Sequence, residues 1–144
     1  MIPTTISSTD EWEDLSSQYE EKSELNQPTY TYKMNLERYR VQGNVDNHDA
    51  MVQVIYKILN TERYVYNKVY SDNYGVELRN LIGKDINYVM AEIPRLFKEA
   101  LCWDQRITDV KDFEFERGKN FLTVNFTTVT IFGDLEIENV EVNF

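Results

Sequence analysis

Apolar and polar residues recur along the chain with two different periods. Tyr30, Tyr32, Met34 and Leu36 alternate with Thr31, Lys33, Asn35 and Glu37, the period of two that half-buries a strand. Gly43-Asn44 supplies the turn expected after it. Asp46 or Asn47 then stands where a short side-chain acceptor can satisfy the unpaired amides of a first helical turn. Met51, Ile55, Ile58 and Leu59 follow at helical spacing and form one inward stripe. Glu62 continues that stripe to the C-terminal end of the helix, where the macrodipole disfavours an acid. Glu62 therefore calls for a cation, and Arg63 is the adjacent one.

Further on, Tyr64-Val65-Tyr66 reads as a short strand answered by Val69-Tyr70 across an Asn67-Lys68 turn. Gly75 closes the next turn, where a residue without Cβ can take positive φ. Val76 to Ile82 reads as a short helix ended by Gly83. Asp85 caps the main helix, whose apolar residues Ile86, Met90, Ile93, Phe97, Ala100 and Leu101 give the strongest periodic signal in the chain. Pro94 removes one amide donor mid-way and predicts a kink.

The remainder alternates again. Phe113 and Phe115 precede a turn at Arg117-Gly118-Lys119-Asn120, and Leu122, Val124 and Phe126 alternate with Thr123, Asn125 and Thr127. Val129 to Phe132 leads to a second turn at Gly133-Asp134. From Leu135 to Phe144 the inward set changes phase: Leu135 and Ile137 are odd, Val140, Val142 and Phe144 even. A one-residue slip reverses strand faces, so a bulge or break belongs near Asn139. Glu136, Glu138 and Glu141 give this last strand an acidic outer face. Such a face protects an edge from random pairing and equally suits a basic strand from a partner.

These elements predict an α+β fold: two main helices packed on a mostly antiparallel sheet, with C-terminal β-hairpins, over residues 29–144. A flexible acidic arm is expected over residues 1–28. It carries Asp10, Glu11, Glu13, Asp14, Glu20, Glu21 and Glu24 and too few apolar groups to offset its ordering entropy. Trp12, Leu15 and Tyr19 nevertheless share one helical face, which suits a short amphipathic helix docking on a partner as well as a solvated tail. At 144 residues, one core can form without disulfides or metal.

Charge and chemistry narrow the function. Acids outnumber bases 25 to 15, net −10, with no basic run, which argues against nucleic acid or an anionic membrane as partner. No basic start followed by an apolar run opens the chain, and no stretch of about 18 apolar residues occurs. The reading is a soluble protein made in the cytoplasm. Cys102 is the only cysteine and His48 the only histidine, so neither a disulfide nor a histidine-assisted nucleophile assembles readily. No metal spacing and no glycine-rich phosphate cradle appears, so no cofactor is expected. Paired carboxylates remain. With this many acids some pair falls within the roughly 5–10 Å that glycosidases use, and Glu62 suits the proton-donor role, but no companion stands at an identifiable offset. Glu62-Arg63 and Asp104/Arg106 read two ways: as ion pairs bracing their own loops, or as guanidinium groups forking onto a partner's carboxylates or carbonyls.

Several stretches in a fixed order carry a family likeness: Ile58-Leu59-Asn60-Thr61-Glu62-Arg63, Tyr74-Gly75-Val76-Glu77-Leu78, Leu81-Ile82-Gly83-Lys84-Asp85, Asp104-Gln105-Arg106-Ile107 and Thr130-Ile131-Phe132-Gly133. From Thr29 to about Glu138 the chain resembles the small baseplate wedge proteins of contractile phage tails. This is the sheath-initiator or lysozyme-like group, and the likeness is greatest to its PBSX-type prophage branch. The family's Glu-Pro-Arg motif engages a helical bundle of larger wedge proteins. Asp104 and Arg106 match its charges, while Gln105 replaces the proline and implies a softer loop. The family's Gly-Glu-Arg appears as Thr61-Glu62-Arg63, without the glycine. The resemblance implies a structural, non-enzymatic baseplate component of the virion tail, assembled in the host cytoplasm. It would bind wedge proteins through Glu62, Arg63, Asp104 and Arg106, with tail tube or hub as further candidate partners. Its sheet edge at Leu135, Glu136, Ile137 and Glu138 would accept strands from the first ring of tail sheath protein. A peptidoglycan-degrading glycosidase, as the lysozyme label suggests, is the alternative.

Overall fold

Burial of both helical stripes against one face of a three-stranded sheet sets the architecture. The computed structural model describes residues 29–66 and 68–144; the expected arm at 1–28 lies outside the described residues. An antiparallel ribbon, β1 (Thr31–Asn35) and β2 (Arg40–Val45), precedes helix α1 (Asn47–Leu59). A long loop with one 3-10 turn (Arg79–Leu81) leads to helix α2 (Ile86–Leu101). Strands β3 (Ile107–Arg117), β4 (Phe121–Thr130) and β5 (Gly133–Asn143) then form an antiparallel sheet in the order β3-β4-β5. This is the α+β arrangement that the two periods predict.

The helices start where capping chemistry places them. The Asp46 carboxylate accepts from the amide of Asn47, and that of Asp85 accepts from the amide of Asn87. Met51, Ile55, Ile58 and Leu59 from α1 are buried, as are Val89, Ile93, Leu96, Phe97, Ala100 and Leu101 from α2. The apolar stripe of α2 stays buried on both sides of Pro94, which lies inside the helix. Phe97 meets Phe126 of β4 edge-on, ring centres 5.3 Å apart, and each such fully buried side chain contributes roughly 1.5–3 kcal/mol. Helix α2 packs against β3 and α1 against β5.

The phase change in the last strand is a bulge. Val124 pairs with Val140 but Phe126 pairs with Ile137, so Glu138 and Asn139 together face Asn125. Asn139 has φ of 59°, and its amide donates to the Asn125 side chain at 2.8 Å. A second bulge lies on the other side of β4, where Lys111 pairs with Thr127 and Glu114 with Asn125.

Four local expectations are corrected. Gly43-Asn44 is not a turn; both lie within β2, and Gly43, at φ 73°, sits at the register shift opposite Lys33. The chain turns instead at Leu36 to Tyr39. Tyr64 to Tyr66 and Val69-Tyr70 form turns rather than strands, because the amides of Val69 and Tyr70 both donate to the Tyr66 carbonyl, at 3.0 and 2.9 Å. Val76 does not open a helix. Its amide donates to Thr61 O (2.9 Å) and its carbonyl accepts from Arg63 N (3.2 Å) in a parallel bridge, leaving only the 3-10 turn downstream. The second hairpin turns at Ile131-Phe132, two residues before Gly133-Asp134, and the Thr130 hydroxyl closes it by accepting from Phe132 N and donating to Gly133 O.

Candidate functional site

The first corner follows α1. Glu62 does not extend the helix; it forms the bridge with Val76, and its carboxylate accepts from the amide of Arg79 at 3.3 Å. Arg63 is 9 % exposed and its guanidinium is turned into the chain's own fold. Nε donates to Gly75 O at 3.2 Å, and Nη1 donates to Glu99 of α2 at 2.6 Å. The partner of Arg63 is thus an acid 36 positions away, not the adjacent Glu62. Arg95 extends the network by bonding both Glu99 and Glu92. Gly75 makes the corner possible. It has φ of 101°, and a Cβ there would lie 2.4 Å from Thr61 O.

The second corner follows α2. Arg106 forks onto Asp104, Nε to Oδ1 at 2.9 Å and Nη2 to Oδ2 at 2.6 Å, while its backbone amide donates to Oδ1 at 3.0 Å. Both side chains are largely buried. These three bonds fix the loop where a proline would otherwise fix φ. The Arg106 carbonyl also accepts from Ile131 N at 3.0 Å, which ties the corner to the turn between β4 and β5.

The electrostatics of this pair have a sign. Burial alone would push the Asp104 carboxyl up, but hydrogen bonds from the Arg106 side chain and backbone, with the guanidinium charge, hold it below the usual carboxylate range. A depressed folded pKa gives stabilisation that is present above the unfolded value of about 3.9 and is lost as pH falls through the lower folded value. Thermal melts of Asp104→Asn should therefore fall less steeply than those of the parent below about pH 4. Parallel curves would contradict this.

In the first loop, Tyr74 is half-buried, and its phenol is pushed up by burial, then by Tyr70 and by the charge of Asp104. Tyr70 and Tyr74 stack with centres 4.4 Å apart. Since the arginines are turned inward, the loops present aromatic and aliphatic groups: Tyr64, Val65, Tyr66, Val69 and Tyr70 are exposed, as is Trp103 beside Asp104. The sequence reading missed this surface. Its signal was present, a dense apolar run without a partner run of matching period, but Tyr64-Val65-Tyr66 was equally good as a strand.

The third location is β5. Leu135 points inward and is buried, Ile137 is half-buried, and Glu136 and Glu138 are exposed. Strand β5 pairs with β4 on one side, and among the described residues no strand pairs with it on the other. A groove of about 570 Å³ separates this edge from α1.

Other chemistry is sparse. His48 is exposed, and burial pushes the Cys102 thiol up, away from the reactive thiolate. Among the described residues, no group of three His, Cys, Asp or Glu is placed to hold a metal. No described helix is long and apolar enough to cross a membrane.

Comparison with known proteins agrees with these features. The family model described as contractile injection system sheath initiator matches residues 30–133. The Phage-like element PBSX protein XkdS of Bacillus subtilis (strain 168) is 39 % identical over 134 residues, covering 90 % of this chain and 92 % of that protein. The family match takes in both corners and stops at the first residue of β5.

Proposed function

Because this chain belongs to the contractile injection system sheath initiator family and has a structural role in a contractile tail, we propose that it joins two layers of that tail within the baseplate. The corners at Glu62-Arg63 and Asp104-Arg106 seat on other baseplate wedge proteins. The free edge at Leu135, Glu136, Ile137 and Glu138 starts the sheath by accepting strands from its first subunits. Arg63 and Arg106 act here as braces that shape the loops, and the exposed tyrosines and Trp103 make the contact. Tyrosine and tryptophan suit that task, since both add large contact area with a polar handle and dominate interface hot spots.

The observation that carries this reading is the unpaired side of β5. An open edge presents a row of unsatisfied amides and carbonyls and is a template for another chain. The same fold with a closed sheet would offer sheath subunits no backbone partner.

Paired variants separate the two surfaces. Tyr64→Ala with Tyr66→Ala removes only exposed side chains, so the melting temperature should stay close to the parent's, while co-purification with wedge proteins drops by about 30-fold, the loss of one hot spot. Unchanged co-purification would refute the corner assignment. The chain is read as non-catalytic, and peptidoglycan incubated with it should show no release of soluble fragments; release would favour the glycosidase alternative.

A further inference from the structure

Helix α1 packs against β5 yet leaves Val52 and Tyr56 41 % and 42 % exposed. Both side chains line the groove beside the free edge, together with Leu59, Leu78, Ile137 and Val140. They also line a second, more apolar depression of about 370 Å³ between α1 and the β1–β2 ribbon, so they form the ridge between two hollows. The β5 side of the groove adds Glu136, Glu138 and Glu141. Neither hollow is lined by any residue of β3.

Resting on the strand-addition reading above, we propose that the guest at β5 is one extended segment in which apolar side chains alternate with lysine or arginine, and that Val52 and Tyr56 select it. A strand added to β5 lies roughly 4.8 Å beyond it, with alternate side chains on opposite faces. Its inner residues fall into the groove and cover Val52 and Tyr56. Its outer residues stand beside Glu136 and Glu141, where opposite charges on neighbouring strands attract. A second copy of this chain is a poor occupant, because pairing β5 with β5 brings like charges together. A helix leaves the backbone groups of the edge unpaired. Helix α1 is thereby a specificity element for a site whose hydrogen bonds come from the sheet.

The test uses the full chain with nine-residue peptides alternating valine and lysine, or valine and glutamate, and with the sheath subunit of the same tail. Hydrogen exchange should slow over residues 133–143 and 52–56 with the valine-lysine peptide and not with the valine-glutamate one. Val52→Asp and Tyr56→Ser, both at exposed positions, should weaken peptide and sheath binding at least tenfold while leaving the melting temperature near the parent's. Equal protection by both peptides, no protection by the valine-lysine peptide, or unaltered binding by the α1 variants overturns the proposal. If the sheath subunit still protects β5 in those variants, strand addition stands without α1 selection. If it never protects β5, strand addition itself fails.

Discussion

Deletion of Glu138 together with Asn139 is expected to detach the end of β5 and lower the melting temperature by on the order of 10–20 °C. Leu135 and Val142 both point into the core although they stand seven positions apart, an interval that puts residues of a regular strand on opposite faces, and the bulge at Glu138 and Asn139 absorbs the difference. Without residues 138 and 139 a regular strand would turn Val142, 1 % exposed in the fold, and Val140 to the acidic outer face. Glu141 would turn inward. Losing the burial of Val142 alone costs roughly 1.5–3 kcal/mol, and an unpaired carboxylate in the core costs at least as much again. The chain therefore does better to release the segment past Ile137 than to keep it paired. Asn139→Gly is the control, since glycine adopts the same positive φ without strain and keeps the amide that bonds Asn125. Thermal and urea melts of the two variants check the prediction. A deletion variant as stable as the glycine variant would contradict it.

Gly75→Ala is the second large effect. The added Cβ meets Thr61 O at 2.4 Å, and φ of 101° is one that L side chains avoid. The clash is with backbone, so no rotamer change relieves it. To make room the strand-like bridge between Glu62 and Val76 must open, which removes the bonds of Arg63 N to Val76 O and of Val76 N to Thr61 O. The Arg63 side chain then loses Gly75 O as well. Strain of that kind with lost buried hydrogen bonds amounts to at least about 2–3 kcal/mol. Faster amide exchange at Arg63 and Val76, a lower melting temperature and loss of wedge co-purification are expected together. Exchange that stays at the parent's rate would show that the corner does not depend on this glycine.

These two positions also mark what the amino-acid sequence could and could not disclose. The bulge was legible because strand phase is a property of the residue order alone: Leu135 and Val142, seven positions apart, share a face only if one residue between them is taken up by a bulge. The caps at Asp46 and Asp85 and the stripe of α2 were legible for the same reason, as local chemistry and local period. The loop from Thr61 to Val76 was not. Its shape is set by a bridge between residues fourteen apart in sequence and by Arg63 reaching Glu99 across the fold, and no period records either contact. Tyr64-Val65-Tyr66 alternated as a strand would, but the Tyr66 carbonyl was taken by a local turn. For the candidate site, the charged corner residues were identifiable and their partners were not, so inward braces looked the same as outward forks. The exposed aromatics around them became visible only once the arginines were seen to face inward.

The most direct measurement is amide hydrogen exchange of the full chain, alone and with the sheath subunit of the same tail. Slowed exchange confined to β5 and the adjoining face of α1, with β3 unchanged, is the result expected if sheath assembly starts by strand addition at that edge. Protection at β3 in place of β5, or stable binding of the subunit with β5 exchanging at its free rate, would contradict it.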